Sequence, residues 1–129
     1  MSNEEQILIQ FKKQLISFFD ELISQFPNEP CFVMLRILFN DQAPIKEVMN
    51  KFVHKLVSTR DMIKNRDENF FLSQTQSFLS FLDKDTSQTL KRLWRSDTLD
   101  TDDKDTIWRW IDSLVFLADK HSKFLSELR

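Results

Sequence analysis

The stretch DDKDTIWRWIDSLVFLADKHSKFLSEL, residues 102–128, decides the fold class. Within it Ile107, Ile111, Leu114, Ala118, His121, Leu125 and Leu128 step alternately by four and three residues, a spacing that draws one stripe along a helix. At about 100° per residue, Trp110, Leu117 and Phe124 flank the stripe on one side and Val115 and Trp108 on the other. The apolar arc spans roughly 200°, where an ordinary surface helix needs little more than about 100°. A helix apolar over more than half its circumference is buried on more than one side. The segment is therefore predicted to be the long central strut of a helical domain.

Composition points the same way. The 129 residues suit one domain, 1–129, around a single core. A hydrophobic share of 41% beside 29% charged residues describes a globular chain, not a disordered one. A net charge of -2 gives no general attraction to nucleic acid or an anionic membrane. No run approaches the length of a membrane-spanning helix. Met1 to Gln6 is polar and acidic, without the basic region of a secretory signal. The single cysteine, Cys31, allows no internal disulfide and fits a reducing compartment. There is no glycine. Phosphate-cradling loops, dinucleotide turns and nucleophile elbows need a residue that takes positive φ or lets a ligand approach the backbone closely, so none can exist here in its usual form. Two-residue hairpins lose their preferred Asn-Gly and Asp-Gly turns for the same reason.

Taken in order, the chain reads as successive helices. Ser2 and Glu5 have the spacing of a capping box. Leu8, Phe11, Leu15, Phe18, Phe19, Leu22 and Phe26 follow at helical spacing, with Ile9, Ile16 and Ile23 along the edge, until Pro27 stops the helix. Pro30 opens a second helix whose residues 31–39 are apolar except Arg36, and Asn40 is expected to end it as a left-handed cap in the absence of glycine. Pro44 opens a third, with Ile45, Val48, Met49, Phe52, Val53, Leu56 and Val57 on one face. Ser58 or Thr59 is read as the cap of a fourth helix, and Asp67 could equally restart it. A short apolar segment, Phe78 to Leu82, precedes a turn at Asp83–Ser87 and a helix carrying Leu90, Leu93 and Trp94. Thr101 or Asp102 is expected to cap the final helix, with Asp102, Asp103 and Asp105 favouring its N-terminal dipole. The expectation is an all-α, single-domain bundle of six or seven helices around a long C-terminal helix. The three tryptophans are read as structural, with Trp110 the most deeply buried.

No catalytic constellation emerges. Asp83, Asp85 and Ser87 match the first ligand offsets of an EF-hand, but Gln88 stands where glycine is required and Trp94 where the bidentate glutamate should be. The acidic run Asp97, Asp100, Asp102, Asp103 and Asp105 is accounted for by solvated turns and caps. Cys31, His54 and His121 are too far apart in sequence to form a zinc motif. A Cys31–His121 nucleophile–base pair is not required by anything in the sequence, and His121 on the apolar stripe reads as a core or rim histidine. Lys91, Arg92, Arg95 and Arg109 beside Trp94 could grip single-stranded nucleic acid, but neighbouring aspartates offset their charge. Phe116 is the residue out of place. It lies opposite the stripe among Arg109, Lys123 and Glu127, either covered by another element or exposed as an interface anchor.

Five stretches carry a resemblance: FFDELISQFP (18–27), RILFNDQAPI (36–45), IKNRDENFF (63–71), LWRSD (93–97) and DDKDTIWRW (102–110). Over about Phe18 to His121 the chain resembles a group of small helical proteins of large nucleocytoplasmic DNA viruses of algae and protists. The resemblance implies a viral protein in the infected cytoplasm or the virion, and it brings no activity and no functional residue with it. The Asn-Trp-Gly-Arg signature of helical viral mimics of apoptosis regulators is absent, and a chain without glycine cannot carry it.

The functional expectation is a non-enzymatic protein–protein interaction module, self-associating or binding another protein, with Phe116, Arg109 and Lys123 as its partner surface. It needs no cofactor, no metal and no small-molecule substrate. A nucleic-acid-associated or virion structural protein, and a small enzyme with an unrecognised site, are the alternatives.

Overall fold

The described residues form six helices: α1 (Asn3–Gln25), α2 (Pro30–Asp41), α3 (Ile45–Lys64), α4 (Glu68–Phe78), α5 (Lys84–Arg95) and α6 (Thr101–Glu127). The computed structural model describes residues 3–128, without the side chains of residues 77 and 78. There is no strand among the described residues, and no helix there is long and apolar enough to cross a membrane. The Ser2–Glu5 capping box falls partly outside the described residues.

The frame is an antiparallel pair of the two longest helices. Glu4 meets His121, Gln14 meets Ser113 and Phe18 stacks on Trp110, so α1 rises as α6 descends. Their wide apolar arcs need several neighbours, and they get them. α1 also packs on α2 and α3, and α6 on α3. Arg60–Asp119 and Arg66–Asp112 run antiparallel between α3 and α6. α2 folds back on α1 as a helical hairpin, with Asp20–Arg36 and the Lys12 ammonium on the Asn40 carbonyl along its edge. Two aromatic clusters fill the interior. Phe19 touches Phe18, Phe39 and Phe81, and Phe52 joins Phe11 to Phe81. At the other end Phe71 stacks on Trp94 at 4.0 Å while Trp108 meets both edge-on.

Several boundaries differ from the sequence reading. α3 is continuous through Ser58 and Thr59, because the Thr59 hydroxyl bonds back to the Lys55 carbonyl and leaves no cap. Asp67 restarts the chain instead, accepting from the Phe70 amide. The cap of α6 is Asp100, ahead of the expected Thr101 or Asp102, and it closes a reciprocal capping box with Asp103. Asn40 is not a left-handed cap: α2 runs on to Asp41 and ends at Gln42 with φ -134. Among the described residues the left-handed position is Arg66, φ 54. It sits just past α3, where its amide bonds the Ile63 carbonyl and the Asp67 amide reaches the Met62 carbonyl, the helix stop usually built on glycine. With a side chain there the conformation costs about 1–2 kcal/mol. Arg66 offsets this by a two-pronged bond to Asp112 and by lying 5.5 Å from the Trp108 ring centroid.

Burial also departs from periodicity at the ends of stripes. Leu125 and Leu128 continue the α6 stripe but are exposed, because α6 overhangs the start of α1, whose Glu4 already faces His121. Val57, placed on the apolar face of α3, is 85% exposed. Trp110 is not the most buried tryptophan. It lies on the flank of the arc, stacked on Phe18 and only half-buried, whereas Trp94 and Trp108 are enclosed by α4, α5 and each other.

Candidate functional surfaces

His121, isolated in sequence, becomes the centre of a three-helix network. It is fully buried at the α1–α6 seam. Its Nε2 lies 3.2 Å from Glu4 Oε2, and Glu4 Oε1 accepts from Lys46 on α3 at 3.1 Å. The Nδ1 atom is buried without a partner. A neutral ring with its proton on Nε2 donates to Glu4 and leaves Nδ1 a bare acceptor, which is cheaper to bury than an unpaired N–H. No substrate reaches a ring with no exposed surface. Nor is Cys31 at hand. Its neighbour Phe32 packs on Phe26 at the far end of α1, about 30 Å from Glu4 for a helix of this length. The network joins α1, α3 and α6.

Its electrostatics make acid sensitivity predictable. The Lys46 hydrogen bond, and then the Lys46 charge and the His121 hydrogen bond, hold the Glu4 carboxyl below its ordinary 4.5 against the opposing effect of burial. Glu68 is lowered by bonds from Lys104 and from the Trp94 indole N–H. A carboxyl depressed in the folded state adds stability that is complete above its unfolded pKa and is lost as pH falls through its folded one. Melting temperature should therefore fall from about pH 4.5 downward. Glu4→Gln and Glu68→Gln should each flatten that fall. Thermal melts from neutral pH to pH 3 check this, and a variant with the wild-type acid slope would remove that carboxyl from the account.

The other sequence candidates are scattered or enclosed. Asp83 caps α5 by accepting from the Thr86 amide, and Ser87 is buried within the first turns of the same helix, so the Asp83–Ser87 segment is helix, not a cation loop. No three His, Cys, Asp or Glu side chains gather as a ligand set among the described residues. Trp94 is 1% exposed and cannot stack on a base. Its would-be basic neighbour Arg92 pairs with Glu29, and Arg109 stands on the outer side of α6. His54 lies on the exposed side of α3.

Two surfaces remain. The first is the predicted one. Phe116 is 63% exposed, with Arg109 and Lys123 exposed along the same helix. The Lys120 ammonium lies 5.4 Å from its ring centroid, a cation–π contact that covers one face of the ring. Beside it, Gln6, Gln10, Lys120, Lys123, Phe124 and Glu127 line a shallow cleft of about 390 Å³ between α1 and α6.

The second surface was missed. Residues 31–39 are apolar except Arg36, and α2 packs mainly on α1 and, more lightly, on α5. Phe32, Leu35 and Phe39 face inward, while Val33, Met34, Ile37 and Leu38 are left in solvent, Met34 at 69% and Ile37 at 54%. Their numbering places them on one face. The signal was present in the sequence: a short helix apolar on every side needs neighbours on every side. Next to this face a cleft of about 240 Å³ opens between α2 and α3, walled by Leu38, Phe39, Ala43, Pro44, Val48 and Phe81. Compared with known protein families, curated proteins and solved structures, the chain matches none.

Proposed function

We propose that this chain is a non-enzymatic protein–protein interaction module, and that the outer face of α2 receives an amphipathic helix from a different protein. The observation that carries the reading is the row Val33, Met34, Ile37 and Leu38, aliphatic, adjacent and open to solvent. A soluble domain gains nothing from a charge-free helix face in water. The cleft beside it offers the groove into which a partner helix sets its apolar anchors at helical spacing. Asp41, Glu47 and Lys51 around it supply a polar rim of mixed sign.

Size separates a foreign partner from a second copy on this face. Four part-exposed aliphatics amount to on the order of 400 Å², against about 800 Å² per partner in a standard interface. That is enough for the apolar centre of a larger contact and too little for a stable symmetric dimer on α2 alone. The resemblance to proteins of large DNA viruses supports placing this module in the infected cytoplasm or the virion, with a host or viral protein as its partner.

The double variant Met34→Glu with Ile37→Glu tests the reading. Both positions face solvent, so stability should change by less than about 1 kcal/mol. Helical peptides selected from a displayed library against the wild type should lose at least about tenfold in affinity for the variant, as expected for anchors at an interface centre. Peptides that bind both proteins equally would sink the α2 reading, as would a library that yields no binder.

A further inference from the structure

The outer ridge of α6 carries a charge order with a second consequence, independent of the α2 reading. Asp102, Asp105, Arg109, Asp112, Phe116, Lys120 and Lys123 recur by three and four residues along the side of α6 turned away from the core, and all are exposed. The ridge is acidic at its N-terminal end and basic at Lys120 and Lys123, with Glu127 beyond them at its tip. Asp112 is engaged by Arg66, just past α3. Asp102, Asp105, Arg109 and Lys123 are in no ion pair among the described residues.

From this order we infer that α6 is a self-recognition surface, pairing antiparallel with α6 of a second copy about a two-fold axis beside Asp112 and Ser113. In that register Asp102 faces the second copy's Lys123, Asp105 faces its Lys120, and Arg109 lies over its Phe116. The three contacts repeat on the other side of the axis, as a symmetric interface requires. Phe116 already holds a cation against one ring face, and Arg109 of the second copy fills the other. The two Asp112 carboxylates that approach across the axis are each already paired with Arg66 of their own copy, and charge then favours this arrangement over its neighbours. Sliding one copy by seven residues sets Asp105 against Glu127 and Arg109 against Lys123. Parallel pairing sets aspartate against aspartate and lysine against lysine. Both juxtapose like charges.

The contact is a ridge roughly 30 Å long, with little apolar area besides Phe116. Two helices in contact over that length bury less than the roughly 1,200 Å² at which stable interfaces begin. The dimer is therefore weak, reversible and sensitive to salt.

Sedimentation velocity of the full chain over a concentration series reads it directly. The wild type should associate at low salt, and the dimer should weaken at least about tenfold when salt is raised to about 0.5 M. Lys120→Glu with Lys123→Glu makes both ends of the ridge acidic. Asp102→Lys with Asp105→Lys makes both ends basic. Each variant alone should be monomeric, and an equimolar mixture should form a heterodimer, which no loss of folding can imitate. A wild type that stays monomeric throughout overturns the inference. So does association that both variants retain, or a mixture that fails to associate where the wild type does. Should the monomeric wild type instead shift a single-stranded oligonucleotide, and Lys120→Glu with Lys123→Glu abolish that shift, the ridge serves nucleic acid and self-pairing is refuted.

Discussion

Trp94→Ala should lower the melting temperature by about 10–30 °C, or leave no soluble folded protein. The indole is 1% exposed, stacked on Phe71 at 4.0 Å and met edge-on by Trp108, and its N–H donates to Glu68. Truncating a buried tryptophan costs about 3–5 kcal/mol through lost transfer energy and the cavity that remains. The total stability of a domain is about 5–15 kcal/mol, and for a chain of this size each kcal/mol moves the midpoint by roughly 3–6 °C. The cost is raised further because Trp94 is the main tie between α5 and the rest of its cluster: Phe71 lies on α4 and Trp108 on α6. Trp110→Ala is the internal comparison. Trp110 is more exposed than Trp94 and stacks on Phe18, so its loss should cost less. Thermal melts of the two variants side by side decide the ranking, and a Trp110→Ala variant less stable than Trp94→Ala would reverse it.

Phe19→Ala should be of similar severity, about 3–5 kcal/mol, for a different reason. Phe19 is fully buried where α1, α2 and the turn before α5 converge, in ring contact with Phe18, Phe39 and Phe81. Removing it opens a cavity among rings that are themselves held by other rings, so little collapse can fill it. Phe19→Leu keeps most of the volume and should cost well under half as much. Chemical denaturation of the two variants checks both numbers. Equal effects from alanine and leucine would mean that ring geometry, not volume, holds this end of the core.

Much of the fold was legible in residue spacing. The α6 stripe, the wide arc of α1, the helix-opening prolines Pro30 and Pro44 and the restart at Asp67 all reappear in the structure. Where the reading slipped, a local alternative of similar strength had won. Thr59 is a good cap in isolation, but its hydroxyl is used by the preceding turn. Asp100 captured the start of α6 because Asp103 could answer it across the first turn. Arg66 took the left-handed position, where Asp112 and the Trp108 ring were close enough to offset its strain. Those partners are 46 and 42 residues away, out of reach of any local pattern. Of the surfaces, Phe116 with Arg109 and Lys123 could be found because an aromatic interrupts a polar face. The open face of α2 was legible only in part: a short helix apolar on every side signals an extra neighbour, but Met34 and Leu35 look alike in sequence, so the side left open was not.

The sequence by itself determined that this protein is helical and where its helices turn. A chain without glycine, with apolar residues recurring every three to four positions, has no other way to satisfy its backbone while burying its side chains. It also determined the direction in which each side chain leaves its own helix axis. Only the tertiary structure decided which of those directions meet a neighbour. Periodicity fixes an angle around one helix, whereas burial depends on whether a second helix arrives at that angle. That arrival encloses Trp94, stops short of Leu125, and leaves Val33, Met34, Ile37 and Leu38 facing water.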